Sequence, residues 1–113
     1  TTDQKIIQKK WSEIEELIKL GGPSCFQKAI IEADKLLDFV LSQMGYEGKL
    51  GDKLKLAKEE FIKEKDYSLY NDIWRAHKLR NELVHNLNYE IYSFEVKEVI
   101  KKFEKAFKNL GVL

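Results

Sequence analysis

A shortage of turn-forming residues is what most constrains the fold of this chain. Its 113 residues include a single proline, Pro23, and only six glycines. A fold of many short strands needs a turn signal roughly every 8–12 residues, whereas a few long helices need far fewer. Hydrophobic residues make up 43% of the chain, which is enough for one helical core and too much for disorder. We therefore expect a single all-α domain over residues 1–113.

Apolar residues recur along the chain at the three- and four-residue spacing of amphipathic helices. Short connections between the helices favour an up-down bundle, in which the second helix should be the most buried. Leu36 and Leu83 are predicted core residues. Leu56 is assigned to the apolar face of the third helix and Leu87 to that of the fourth, and Ser93 is the expected N-cap of the last helix. About five helices are predicted, over residues 3–20, 24–44, 52–62, 68–86 and 94–110.

Charge and cysteine content limit the classes of function. The formal net charge is +1, so there is no overall basic field, and RNA binding would need a local patch. Cys25 is the sole cysteine and is predicted to be a small core residue; it excludes an internal disulfide and a thiolate zinc cluster. A reducing, cytoplasmic setting follows.

The sequence leaves open whether the chain is part of a longer protein with a membrane anchor. No run of 18 apolar residues or signal peptide is present in the sequence. The chain starts Thr-Thr-Asp-Gln without an initiator methionine, which indicates a processed product or a domain of a longer protein. An upstream membrane anchor therefore remains open.

All arginines and histidines of the chain fall in one short segment of the fourth predicted helix, namely Arg75, His77, Arg80 and His85. Residues four apart share a helical face, so His77, Asn81 and His85 should form one polar ridge with Arg80 beside it. His85 can transfer a proton near neutral pH, and Arg80 can hold a phosphate by its planar guanidinium. Asn81 can bond an imidazole nitrogen and fix its tautomer. The segment is therefore a candidate site for chemistry on a phosphate.

The geometry of one helix limits this site. Positions 80 and 85 are roughly 140° apart around an ideal helix and about 7.5 Å apart along it. Either the helix loosens near His85, or a second copy faces the first across a two-fold axis and contributes to one cleft. We expect a homodimer with these helices at the axis.

The hexapeptide Arg-Asn-Glu-Leu-Val-His at residues 80–85 resembles the active-site motif of HEPN (higher eukaryotes and prokaryotes nucleotide-binding) domains. The order of a long helix, a glycine-rich loop, a short helix, the motif helix and a closing helix is also similar to that family over nearly the whole chain. The resemblance implies a helical bundle that dimerises about the motif helices. It also implies a metal-independent endoribonuclease without a cofactor, in which Arg80 and His85 are catalytic and Asn81 is the polar residue after the arginine. In HEPN toxins paired with nucleotidyltransferase antitoxins a tyrosine often stands two residues after the histidine, where this chain has Leu87.

Several assignments stay open on the sequence alone. His77, Arg75 and Lys78 are candidate RNA contacts, although His77 is also explained as a structural histidine. His85 can simply be a cation at a helix C-terminus, and Arg80 can pair with a nearby acid. Among functions, the alternative to an RNA-cleaving enzyme is a non-catalytic HEPN-like module that dimerises, binds RNA or a nucleotide, or docks a protein partner such as an antitoxin. A structural helical module is a third reading.

Overall fold

The computed structural model describes residues 2–86 and 88–113, apart from the side chain of Thr2. The described chain is all-α, as the sequence predicts. Leu87, which was assigned to the core face of the motif helix, lies outside the described residues. Within them the helices are α1 (Thr2–Leu20), α2 (Pro23–Gln43), α3 (Leu50–Leu56), α4 (Lys58–Phe61), α5 (Ser68–His85) and α6 (Ser93–Asn109).

The prediction of about five helices is wrong in one place. The segment predicted as one helix over 52–62 forms two helices, α3 and α4. The chain turns at Ala57, where the Glu60 amide donates to the Ala57 carbonyl over three residues instead of four. The first half, α3, packs on α2 and α5, whereas α4 packs on α5 and α6. Leu56, which the sequence places on the apolar face of this segment, is 63% exposed.

Helix α2 is the centre of the bundle. It contacts α1, α3, α5 and α6, and it contributes more buried side chains than any other helix described. Its apolar stripe follows the helical period from Ala29 to Leu41. The prediction that α2 is the most buried helix is thus confirmed, and every other element that carries site residues is positioned against it.

The core confirms most of the assigned faces. Leu36 and Leu83 are 6% and 5% exposed. Trp11 is buried and meets Phe107 of α6 edge-on, with ring centroids 5.4 Å apart. Cys25 is half-buried, so it lies at the margin of the core.

The helix ends follow local backbone chemistry. Gly45 has a φ of 98° directly after the last turn of α2, a left-handed conformation that favours glycine after a helix C-terminus. Ser93 is the first residue of α6 and not its N-cap; Tyr92 takes that place, and its amide donates to the Glu95 carboxylate at 3.5 Å. Before α5 the chain reverses over residues 63–66, where the Asp66 amide donates to the Lys63 carbonyl at 2.8 Å.

None of the helices in the described part of the chain combines the length and apolar character that crossing a membrane requires.

Candidate functional site

A cleft of about 730 Å³ opens between α2, the chain entering α3, and α5. Most of the residues that line it are polar or charged. The lining residues come from α2 (Ile31, Asp34, Lys35 and Asp38), from the start of α3 (Lys49, Leu50 and Gly51) and from α5 (His77, Arg80, Asn81 and His85).

The motif residues of α5 lie together along this cleft. His77, Asn81 and His85 all line it, as their four-residue spacing predicts, and Arg80 lies beside them. Although Arg80 and His85 point in different directions around the helix, both side chains reach the wall of one cleft in one protomer. The geometric reason for expecting a second copy is correspondingly weaker.

The two other residues predicted to contact RNA lie elsewhere. Arg75 and Lys78 are exposed and do not line the cleft. Arg75 instead pairs with Asp72, one turn earlier on α5, with Nη1 and Oδ1 3.4 Å apart. The structure therefore brings His77 into the site with Arg80, Asn81 and His85, and leaves Arg75 and Lys78 on the surrounding surface.

Asp34 of α2 is the site residue that sequence reasoning missed. Its carboxylate is buried, with the residue 4% exposed, and it joins α2 to α5. Oδ1 lies 2.8 Å from Nδ1 of His77, and Oδ2 lies 3.5 Å from Nε of Arg80. A buried carboxylate is costly unless it is paired, and here both oxygens face cationic or proton-donating groups. The signal was present in the sequence, since Asp34 lies four residues after Ile30 and three before Leu37 on the buried face of α2.

The guanidinium of Arg80 contacts two neighbouring residues and is still partly exposed. Its side chain is 33% exposed. Nη1 donates to the Asn81 amide oxygen at 3.0 Å, while the buried Nε has the ion-pair contact with Asp34 but no hydrogen-bond partner within the described chain. Asn81 therefore orients the guanidinium, where the sequence suggested a bond to an imidazole. The acid that pairs with Arg80 is Asp34 and not one on its own helix.

His85 is the last residue of α5 and is exposed. No hydrogen bond or ion pair joins its side chain to another residue in the described ranges 2–86 and 88–113. Its imidazole is therefore free to meet a ligand in the cleft.

A partly buried ion pair lies on the α3 side of the cleft. Lys53 is 6% exposed, and its Nζ donates to Asp38 Oδ1 at 2.7 Å and to Ser42 Oγ at 2.6 Å. The ammonium neutralises Asp38 at the cleft wall and ties α3 to α2. Sequence alone could not separate this lysine from the many on solvated faces.

The aromatic residues near α5 divide into two groups. Trp74 is half-buried and meets Tyr70 and His77 edge-on, with ring centroids 6.4 and 6.0 Å apart. Tyr92 instead is 63% exposed and stacks on the exposed Phe94 at an interplanar angle of 11°. Tyr70 therefore packs on the bundle, whereas Tyr92 does not.

Another groove, of about 450 Å³, lies between α1 and α2. Its floor is apolar, with Ile14, Leu17, Leu36 and Phe39, and its rim carries lysine and glutamate. Neither histidine nor arginine lines it. Groups suited to proton transfer therefore concentrate in the α2–α5 cleft. Over the described residues, no three His, Cys, Asp or Glu side chains are grouped to hold a metal ion.

The sequence matches no protein-family model, and comparisons with curated proteins and with solved structures find no match either.

Proposed function

We propose that this chain is a HEPN-like domain that cleaves RNA without a metal ion, using Arg80 and His85 in the α2–α5 cleft. The observation that carries the proposal is that Arg80, Asn81 and His85 line one open cleft while a buried carboxylate anchors the arginine. A guanidinium that is hydrogen-bonded to Asn81, lies beside a carboxylate and is still partly exposed is suited to hold a phosphate.

The chemistry follows from the charges of these groups. Attack of a ribose 2′-hydroxyl on the adjacent phosphorus builds negative charge on the phosphoryl oxygens, and Arg80 would stabilise that charge. His85, exposed and without a protein partner, would exchange a proton with the ribose oxygens near neutral pH. Asn81 accepts a hydrogen bond from Arg80 and would keep the guanidinium facing the cleft.

The proposal includes a homodimer in which α5 lies near the two-fold axis. In support, His85 and its neighbour Val84 are both exposed at the C-terminal end of α5, and Val84 is an apolar side chain that is 39% exposed. A symmetric contact there would bring a second cleft close to the first. A cytoplasmic protein partner, such as an antitoxin in a toxin–antitoxin pair, is compatible with the same surface.

A second candidate is a non-catalytic HEPN-like module that binds RNA or a nucleotide. The pairing of Arg80 with Asp34 favours it, because the carboxylate offsets part of the charge that a phosphate would meet. The net charge of +1 adds little long-range attraction for RNA.

One experiment separates the two candidates. A fluorescent single-stranded RNA is incubated with wild type and with His85→Ala in the presence of EDTA, while fluorescence anisotropy records binding. Cleavage by wild type that is lost in His85→Ala supports the enzyme. Binding without cleavage in every buffer supports the module, and equal cleavage by both proteins refutes the assignment of His85.

A further inference from the structure

His77 is held on two sides in the cleft of the proposed nuclease. Its Nδ1 lies 2.8 Å from Oδ1 of Asp34, and its side chain is 13% exposed. The edge of Trp74 supports the ring at a centroid distance of 6.0 Å. A carboxylate from α2 and an indole from α5 thus fix the orientation of the imidazole before any ligand arrives.

The contact with Asp34 also fixes which nitrogen carries the proton. A carboxylate only accepts hydrogen bonds, so the neutral imidazole places its proton on Nδ1. The other nitrogen, Nε2, has no hydrogen-bond partner within residues 2–86 and 88–113, and His77 lines the cleft. An imidazole oriented in this way presents the lone pair of Nε2 as a proton acceptor, which is the role that a carboxylate–imidazole pair serves in general-base catalysis.

The same carboxylate positions the base relative to the phosphate clamp. Asp34 contacts His77 through one oxygen and Arg80 through the other. On an ideal helix His77 lies about 4.5 Å before Arg80 along the axis, and His85 lies about 7.5 Å after it. Along α5 the two histidines therefore lie on opposite sides of Arg80, and all three residues line the cleft.

We propose that His77 is the general base of this site and that His85 is the general acid, an assignment that rests on the proposed function. Nε2 of His77 takes the proton of the 2′-hydroxyl as O2′ bonds to phosphorus. The bond from phosphorus to O5′ breaks, and His85 gives a proton to O5′. The products are a 2′,3′-cyclic phosphate and a 5′-hydroxyl, and no oxidation or reduction occurs. Asp34 is a positioning residue, because it acts through His77 and Arg80.

Other charges in the cleft also bear on the protonation of His77. The titratable and charged groups that line the same cleft are Asp34, Lys35, Asp38, Lys49, Arg80 and His85. Asp38 is neutralised by Lys53, so Asp34 is the acid in direct contact with the imidazole. Asp34 is therefore the residue whose replacement should act on His77 most directly.

The test uses two dinucleotide substrates, one natural and one in which sulfur replaces the leaving O5′. A thiolate leaves without protonation, so the sulfur substrate needs a base but no acid. We expect His77→Gln to lower kcat by at least about 100-fold on both substrates with little change in KM. His85→Ala should lose a similar factor on the natural substrate and much less on the sulfur one. Wild type and His85→Ala should both lose activity toward acid pH on the sulfur substrate, and His77→Gln should not.

A second variant guards against a folding defect at position 77. Asp34→Asn keeps the volume of the side chain and removes the charge beside the imidazolium. It should move the acid limb of the kcat profile to lower pH, which a purely structural role would leave in place. Circular dichroism establishes that each variant is folded.

Each outcome bears on one of the two proposals. If wild type cleaves and His77→Gln cleaves equally well, or if sulfur substitution rescues His77→Gln, then His77 is not the base and the proposed nuclease stands. If wild type cleaves neither substrate, the proposed function fails and the assignment of His77 fails with it.

Discussion

Oδ2 of Asp34 lies 3.5 Å from Nε of Arg80, so a carboxylate in the middle of α2 anchors the arginine of the motif helix. The two residues are far apart in sequence and are brought together by the packing of α2 on α5. The position of Arg80 and the net charge around it therefore depend on a residue outside the segment 80–85.

Removal of this anchor should destabilise the fold. Asp34→Ala leaves Nδ1 of His77 without its acceptor and Nε of Arg80 without its ion pair, in a largely buried position. We expect the free energy of unfolding to fall by about 1–3 kcal/mol, measured by urea denaturation. Glu32→Ala is the matched control, since Glu32 is a half-buried acid of the same helix that lines the α1–α2 groove instead. Equal losses in the two variants would contradict the role of Asp34.

The core assignments give a prediction with an internal control. Leu36→Ala and Leu83→Ala should each lower the free energy of unfolding by roughly 2–5 kcal/mol, because both side chains are buried and their loss leaves a cavity. Leu56→Ala should change it by less than about 0.5 kcal/mol, since that side chain is exposed. A large loss at Leu56 with a small one at Leu36 would show that the faces are misassigned.

The predictability of the fold depends on what kind of signal each element carries. The long helices were predictable because apolar periodicity over many turns is hard to mistake, as in α2 between Ala29 and Leu41. The break between α3 and α4 was not, because no glycine or proline marks Ala57. The two halves share α5 as a packing partner, and each also has a partner of its own, α2 for α3 and α6 for α4.

Local hydrogen bonding at the start of α5 predicts a pH effect. The Ser68 amide donates to Asp66 Oδ1 at 2.9 Å, and this backbone hydrogen bond lowers the pKa of Asp66 from its ordinary value of 3.8. A carboxyl group with a lowered pKa stabilises the fold above its unfolded pKa, and that contribution is lost as pH falls through the folded pKa. Asp66→Ala should therefore lower Tm at pH 7. The difference from wild type should shrink below 3.8 and then disappear. A difference in Tm that persists unchanged into strong acid would contradict this account.

The proposed homodimer is tested by mass in solution. Light scattering at tens of micromolar protein, a working range for weak complexes, should give twice the monomer mass. Val84→Glu places a charge at the exposed apolar position beside His85 and should yield monomers. Leu20→Glu, at an apolar residue that is 76% exposed near the end of α1, should leave the dimer intact. A monomeric wild-type protein would contradict the homodimer that the proposal includes.

The candidate site was only partly predictable. The spacing of His77, Asn81 and His85 predicted a shared face, because the helical repeat alone decides it. The link between Asp34 and that face was not predicted, because it depends on how α2 and α5 pack. An acid on a buried stripe was the available signal, and an unpaired carboxylate there would be costly enough to imply a cationic partner.

RNA cleavage through Arg80 is tested most directly by using the two arginines of the chain as a matched pair. Arg80→Lys and Arg75→Lys both keep a positive charge, but only Arg80 lines the cleft. Initial rates of single-stranded RNA cleavage are measured in EDTA for wild type and both variants. The account predicts a loss of at least about 100-fold for Arg80→Lys, because lysine lacks the guanidinium fork, and a wild-type rate for Arg75→Lys. Equal rates for the two variants, or intact RNA with the wild-type protein in every buffer, would contradict it.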